Sequence, residues 1–278
     1  MTDARSGGGP WRDRTIVVTG GSSGIGRQFA IHFAVEGAKV IACGRNDMAL
    51  RKLQTEHPTI DTVQCDITVR PNVLALVETI RDRYGMLDVL VNNAGIMERV
   101  DLLEESVSDE RIANEIAVNL TGPILLTRRL LPLLRSGRSP MIVMVTSGYA
   151  LLPATRAPTY SATKAGLRSF TLALRRQLRG VGIRVVEVLP PLVDTPATRT
   201  VSKAKMSPAA LVDQVMHDIL HGKDEINAGQ GSLTADAYAS GSVAHSTPCC
   251  RIMRHLDLRC QNNGPCRILP ACWPPGGW

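Results

Sequence analysis

The chain has 278 residues, 44% hydrophobic and 21% charged, which is enough to bury a sizeable core and too apolar for a chain disordered throughout. Its longest uninterrupted apolar run, Met141-Ile142-Val143-Met144-Val145, is far short of the roughly 18 residues a membrane span needs, so no transmembrane helix is expected. The net charge of +7 raises the question of a nucleic-acid partner, but the basic residues fall in scattered pairs such as Arg128-Arg129 and Arg175-Arg176 with no interleaved aromatic stripe, the pattern of solvated helix faces.

In chain order, residues 1–13 are Gly-rich at first and carry Asp3 and Arg5 with no apolar stretch, so they read as a flexible segment rather than a secretory signal, and the cytoplasm is the expected compartment. From Thr15 onward short apolar runs alternate with longer amphipathic stretches, the signature of βαβ units wound into a parallel sheet. Strands are predicted over Thr15–Thr19, Lys39–Ala42, Thr62–Gln64, Val89–Val91, Met141–Thr146 and Arg184–Leu189, each rich in Val or Ile and bounded by turn residues. Helical spacing of apolar residues covers Gly24–Val35, Met48–Glu56, Pro71–Tyr84, Ser108–Leu134 and Thr159–Arg179. Ser207-Pro208 then opens a last helix to about His221, as an N-cap followed by proline at the first helical position. The fold class is therefore α/β, a Rossmann-type doubly wound parallel sheet in a single domain over 14–229, with helices on both faces. Residues 230–278 show no sustained period and end in Pro274-Pro275-Gly276-Gly277-Trp278, so an irregular, disordered tail is expected there. The tail holds Cys249, Cys250, Cys260, Cys266 and Cys272, but without paired Cys-x-x-Cys spacing, and no metal site is expected.

The first strand runs straight into Gly20-Gly21-Ser22-Ser23-Gly24-Ile25-Gly26 and then into a helix. Glycines there let the backbone approach a ligand closely, and the unsatisfied N–H groups and positive dipole end of the helix suit a pyrophosphate. A Gly-rich turn alone is usually only a turn; following a strand and opening a helix, it reads as a dinucleotide site. After the second strand, where an NAD site commonly carries Asp or Glu for the ribose hydroxyls, the chain has Gly44-Arg45. A guanidinium can pair with a 2′-phosphate in bidentate fashion, so NADP is expected in preference to NAD. Asp47 is a nearby candidate for the acidic role, although Asn46 and Asp47 also suit the cap of the next helix.

Tyr160-Ser161-Ala162-Thr163-Lys164 places a phenol and an ammonium on one face of a helix. Bringing a tyrosine from about 10 to about 7 takes roughly 4 kcal/mol, which is the size of the Coulomb energy of one ammonium about 4 Å away at an effective dielectric near 20. Ser147 follows a strand at the carboxyl edge of the sheet, where open α/β folds bind their ligands.

Taken together, Thr19-Gly20 to Gly24-Ile25-Gly26, Asn92-Asn93-Ala94-Gly95, Asn119, Ser147 and Tyr160-x-x-x-Lys164 resemble the short-chain dehydrogenase/reductase family, over about Arg14 to Gly229. The resemblance implies hydride transfer between a nicotinamide dinucleotide and a carbonyl/alcohol pair, with Tyr160 as general acid or base and Ser147 hydrogen-bonded to the same oxygen. It assigns Lys164 to the nicotinamide ribose and to lowering the tyrosine pKa, and Asn119 to anchoring a water that reaches Lys164. A helix kink before Gly122-Pro123 is the competing reading of Asn119. Asn93, Ala94 and Gly95 would meet the adenosine half of the cofactor and Asp66-Ile67 the adenine, with capping as the competing role of Asp66. Val193 and Thr195 would meet the nicotinamide carboxamide. Two departures stand out: the family's Pro-Gly is Pro190-Pro191, and Ser23 occupies a position that is basic in many NADP-preferring members, so Arg45 alone must select the phosphate.

A substrate pocket walled by Ile96, Met97, Tyr149, Leu151, Leu152 and the loop Leu192–Met206 is mostly apolar and suits a small or medium hydrophobic carbonyl or secondary alcohol. Arg199, Lys203 and Lys205 either attract an acidic substrate or simply solvate that loop. The resemblance further implies a homodimer through the helix from Ser108 and the Tyr160 helix. The rivals are a non-catalytic dinucleotide-binding protein and, last, a sugar-nucleotide epimerase, for which the chain after Tyr160 lacks room.

Overall fold

The structure, a computed structural model, describes residues 9–98, 101–104 and 107–228. The elements are β1 Thr15–Thr19, α1 Gly24–Val35, β2 Lys39–Gly44, α2 Asp47–Glu56, β3 Ile60–Gln64, α3 Arg70–Tyr84, β4 Val89–Asn92, α4 Asp109–Ile116, α5 Gly122–Arg135, β5 Met141–Val145, α6 Pro158–Leu178, β6 Arg184–Leu189, α7 Pro208–Leu220 and β7 Glu225–Asn227. The strands form one sheet in the order β3-β2-β1-β4-β5-β6-β7, and every pairing is parallel. Strands are added outward to one side from β1 to β3 and to the other side from β4 on, so the winding reverses between β1 and β4, which opens a crevice at their carboxyl ends.

The continuous Val/Ile runs follow from burial on both faces. Ile16 and Val18 point into one core with Phe29 and Phe33 of α1, Leu50 and Leu53 of α2, and Leu211 and Val215 of α7. Val17 points the other way, to Leu76 and Ile80 of α3, Leu126 and Leu130 of α5, and Leu167 and Leu174 of α6. The doubly wound Rossmann-type architecture expected from the alternation is what the chain adopts. Among the described residues no helix is long and apolar enough to cross a membrane.

The structure differs from the sequence expectations in several places, among them the end of β2, which runs two residues past the expected Ala42 to Gly44. A seventh strand, β7, pairs with β6, but with only Ile226 buried in a three-residue element it leaves no period to read. The helix expected over Ser108–Leu134 is α4, a π-helical turn at Ala117–Thr121 and α5. Pro123 has no N–H to give the carbonyl of Asn119, and the N–H of Gly122 reaches back to the carbonyl of Ala117, so the expected kink takes the form of a widened turn. Strand β3 starts at Ile60, two residues before the expected Thr62. Trp11, expected within a flexible segment, is buried in the α1 core and meets Phe33 edge-on at 5.1 Å between ring centroids. The tail expected to be irregular from residue 230, with its five cysteines, lies outside the described residues.

Replacing Trp11 by Ala should lower stability by about 3 kcal/mol, the usual cost of removing a buried large aromatic, read as a lower urea midpoint with unchanged slope. A loss below about 1 kcal/mol would make the segment before β1 peripheral to the fold.

Candidate active site

Gly20 sits at φ +63° directly after β1, and Gly24 at φ +52° starts α1, both in the left-handed region that glycine adopts without strain. Ser23 precedes the helix in extended conformation, and no side chain caps the first turn of α1. The N–H groups of that turn therefore face the crevice rather than a side-chain acceptor. Gly26 answers a different need: a Cβ there would lie 2.3 Å from the Gly20 carbonyl oxygen and 2.4 Å from Nδ2 of Asn93, so only glycine lets helix and turn come this close. The turn is tied to the end of β4 by Thr19, whose hydroxyl accepts the backbone N–H groups of Asn93 and Ala94, each at 3.0 Å. Asn93 returns its side-chain amide to the Thr19 carbonyl at 3.0 Å, so its side chain serves the frame of the crevice.

Of the residues singled out from the sequence, Gly20, Ser22, Ser23, Gly24, Ile25, Arg45, Asp66, Ile67, Asn93, Ala94, Gly95, Ser147, Tyr160, Lys164, Val193 and Thr195 line one cavity of about 400 Å³. Gly26 and Asn119 are buried behind its wall. At the β2–β3 end, the half-exposed Arg45 guanidinium lies 4.0 Å from Asp66. Oδ1 of Asp66 accepts the Thr68 N–H at 2.9 Å and its hydroxyl at 2.7 Å, so the side chain holds the turn before α3, whose N-cap is Val69 without a side-chain cap, while Asp66 keeps its place at the cavity. Asn46 caps α2 by accepting the Ala49 N–H at 3.0 Å, while Asp47 pairs with Arg51 at 2.7 Å and does not line the cavity. Cys43 and Cys65 also line this end; burial pushes both thiols up, Cys65 to about 11. These two were missed because a buried cysteine looks like any small core residue in a strand pattern.

At the other end, α6 starts at Pro158 and brings Tyr160 and Lys164 to the cavity one turn apart. The Ser147 hydroxyl accepts the Tyr149 N–H at 3.2 Å and lines the cavity together with Tyr160. Lys164 is buried, its Nζ 5.7 Å from the Tyr160 ring centroid and donating to the Val145 carbonyl at 2.9 Å. The expected lowering of the tyrosine is not present. Burial pushes the phenol up to about 12, outweighing the lowering effect of the Ser147 hydroxyl, and the Glu115 and Tyr149 side chains add to the rise. Burial also brings Lys164 down to about 8, opposed by the charge of Glu115.

Asn119 is fully buried in the π-helical turn. Its Oδ1 accepts the Ile96 N–H and its Nδ2 donates to the Ile96 carbonyl, both at 2.8 Å, with a further 3.3 Å contact to the Thr163 hydroxyl. The side chain is thus a staple between helix and cavity wall. On the far wall, Thr195 and Thr198 cap each other reciprocally around a single helical turn, and Pro190, Pro191 and Pro196 complete the lining. Ile96 and Met97 line the cavity as expected, whereas Leu151 and Leu152 do not, and Tyr149 stands edge-on to Tyr160 at 6.1 Å. Lys205 pairs with Asp194 at 3.2 Å, and Arg199 and Lys203 are exposed. Ala197 and Thr198 line the cavity from the loop expected to wall it, whereas Val118 and Thr146 do so without having been singled out, because only the three-dimensional path of their segments brings them there.

A glycine turn at an uncapped helix, joined by one crevice to a Ser/Tyr/Lys cluster, defines an α/β protein with a site built across the switch point of its sheet. Residues 14–206 match the model of the family described as short chain dehydrogenase. An oxidoreductase of Bacillus subtilis (strain 168) called DltE, described as uncharacterized, is 40% identical over 183 residues, which cover 66% of this chain and 73% of that one. Among solved structures, the 3-ketoacyl-(acyl-carrier-protein) reductase of Brucella melitensis complexed with NADH is 30% identical, with a TM-score of 0.70 and coverage of 74% of this chain and 90% of that one. A short chain dehydrogenase of Burkholderia cenocepacia J2315 in complex with NADP is 27% identical, with a TM-score of 0.73 and coverage of 90% and 99%. The chain belongs to the short chain dehydrogenase family of oxidoreductases.

Gly26→Ala should destabilise the fold by about 1–3 kcal/mol by overpacking β1 against α1, with the loss read from the urea midpoint. Stability equal to the parent would show that the turn gives way at no cost.

Proposed function

We propose that the chain transfers hydride between NADP(H) and a small or medium hydrophobic ketone, aldehyde or secondary alcohol. The observation that carries this reading is the Tyr160 phenol, with Ser147 and Lys164, in the same cavity as the uncapped start of α1. The site fits a dinucleotide: open N–H groups and a positive helix end suit the pyrophosphate, and Gly20 and Gly24 line the cavity beside them in the left-handed conformation the turn requires. Arg45 suits a 2′-phosphate. Asp66 and Ile67, with the backbone of residues 93–95, would hold the adenosine half, and Val193 and Thr195 the carboxamide, with Lys164 at the ribose. A nicotinamide supplies the hydride when bound.

In this reading Tyr160 gives its phenolic proton to the carbonyl oxygen in reduction and takes it back in oxidation. With the phenol pushed up to about 12 it is protonated at neutral pH, the state that reduction requires. Ser147 donates a hydrogen bond to the same oxygen, and the Lys164 ammonium stabilises the phenolate left behind. Asn119 contributes by anchoring a water on the way to Lys164. The Brucella relative is named for a carbonyl-bearing acyl group, and the two solved relatives hold NADH and NADP, which supports the carbonyl assignment and leaves Arg45 as the argument for the phosphate. A homodimer belongs to the same reading, since Ile116 of α4 and Leu125 of α5 are exposed on the helices expected to pair.

NADPH should raise the thermal midpoint more than NADH at equal concentration, and Arg45→Ala should remove most of the difference. Equal shifts in the unaltered chain would overturn the NADP assignment. Tyr160→Phe should bind the cofactor normally and lose at least about a hundredfold in kcat, the ordinary scale of a general acid. Full turnover by that variant would rule out the mechanism, and a chain that binds cofactor yet turns over no member of a carbonyl panel would be a non-catalytic dinucleotide-binding protein.

A further inference from the structure

Strand β6 is apolar from Val185 to Leu189 except at its centre, where Glu187 is fully buried. A carboxylate in that place is costly unless its oxygens are used. Both are: Oε1 accepts the Thr146 hydroxyl at 2.8 Å, and Oε2 accepts a hydrogen bond from Nη1 of Arg168 on α6. Arg168 is itself largely withdrawn from water, and its Nη2 reaches both carboxylate oxygens of Glu225 in β7 at 3.2 Å. Glu187 therefore joins three parts of the fold, namely β6, α6 and the residue that leaves β5.

That residue is the last one before the reacting groups. Thr146 is buried and lines the cavity, and Ser147 follows it. The Thr146 N–H continues the β5–β6 ladder to the Val188 carbonyl at 2.9 Å, and its hydroxyl lies 3.1 Å from the same carbonyl as well as 2.8 Å from Glu187. A hydroxyl has one proton to give, and the shorter, charge-assisted bond to the carboxylate is the stronger of the two. Arg168 lies one helical turn beyond Lys164, as Lys164 lies one turn beyond Tyr160, so one face of α6 carries all three. Lys164 bonds to the Val145 carbonyl at 2.9 Å, and Arg168 reaches Thr146 through Glu187. The helix that carries Tyr160 thus grips two successive residues at the end of the strand that leads to Ser147.

We propose that Glu187, oriented by Arg168, is a positioning residue that sets Ser147 against Tyr160. The proposal rests on the reading of Ser147 and Tyr160 as the groups that meet the carbonyl oxygen. Glu187 is not part of the cavity lining and acts through Thr146. A brace between β6, β7 and α6 that served stability alone would make activity follow stability, and the two roles part in the experiment.

Glu187→Gln keeps the shape of the side chain but leaves one acceptor oxygen where there were two, so Thr146 and Arg168 cannot both be served. With all readings taken where the chain is fully folded, this variant should lose at least about tenfold in kcat and in kcat/KM together, the scale of a small misplacement of a reacting group. NADPH should raise its thermal midpoint as much as that of the parent. Native-state hydrogen exchange at the N–H groups of Thr146 and Tyr149, which bond to the Val188 carbonyl and the Ser147 hydroxyl, should quicken by at least about tenfold with no comparable change in β1 or β4. In Glu187→Leu/Arg168→Met neither charge of the pair remains, so the thermal midpoint should return toward the parent while the loss of kcat and the faster exchange persist. Turnover that recovers with stability in the double variant would reduce the pair to a brace and overturn the proposal, as would parent-like exchange at Thr146 and Tyr149. Should Glu187→Gln fail to fold, the double variant decides by the same readings. A parent chain with no turnover would remove the reading of Ser147 and Tyr160 as the reacting pair, and the exchange comparison would still decide whether Glu187 fixes the segment that carries Ser147.

Discussion

The crevice depends on a polar clamp at the point where β1 and β4 part. Thr19 donates its hydroxyl to the Val91 carbonyl at 3.2 Å and accepts two backbone N–H groups from the chain leaving β4, and Asn93 returns an amide to the Thr19 carbonyl. The Thr19 side chain is buried, so a lost partner there would cost about 1–3 kcal/mol rather than being made good by water. The clamp also fixes the contact of the Gly20 carbonyl and Asn93 with Gly26, which decides how closely α1 follows the turn. One set of hydrogen bonds therefore sets both the floor of the crevice and the direction in which the first N–H groups of α1 point.

Much of this was legible because the fold repeats one physical pattern. Runs such as Ile16–Val18 and Val89–Val91 are continuous in Val, Ile and Leu because both faces are covered, and the helices between them declare themselves by caps such as Ser207-Pro208. The glycine turn was readable for a related reason: left-handed dihedrals at Gly20 and Gly24 and the close approach at Gly26 leave few alternatives to glycine. What escaped was structure with too little local signal. Strand β7 is an edge of three residues held by its pairing with β6, and Trp11 belongs to the fold through Phe33, a contact that nothing in its own neighbourhood announces. The break in the helix after Ser108 was visible in Gly122-Pro123, but its form, a π-helical turn that aims the Asn119 side chain at Ile96, depends on the wall it meets.

The electrostatics of the site could not be read from spacing at all. One helical turn between Tyr160 and Lys164 suggests an ammonium that lowers a phenol by the roughly 4 kcal/mol a direct pair supplies. In the structure the lysine bonds to the Val145 carbonyl instead, and burial acts on both groups in the directions that disfavour charge, up for the phenol and down for the amine. A helix wheel reports which residues share a face; it does not report how much water they have lost.

That distinction bears on how such a site can work. A phenol and an amine enclosed together gain from staying in the forms with less net charge, so proton transfer from Tyr160 must be matched by a positive charge that is already in place when the phenolate forms. An ammonium able to shed its proton near neutral pH is a poor guarantor of that charge.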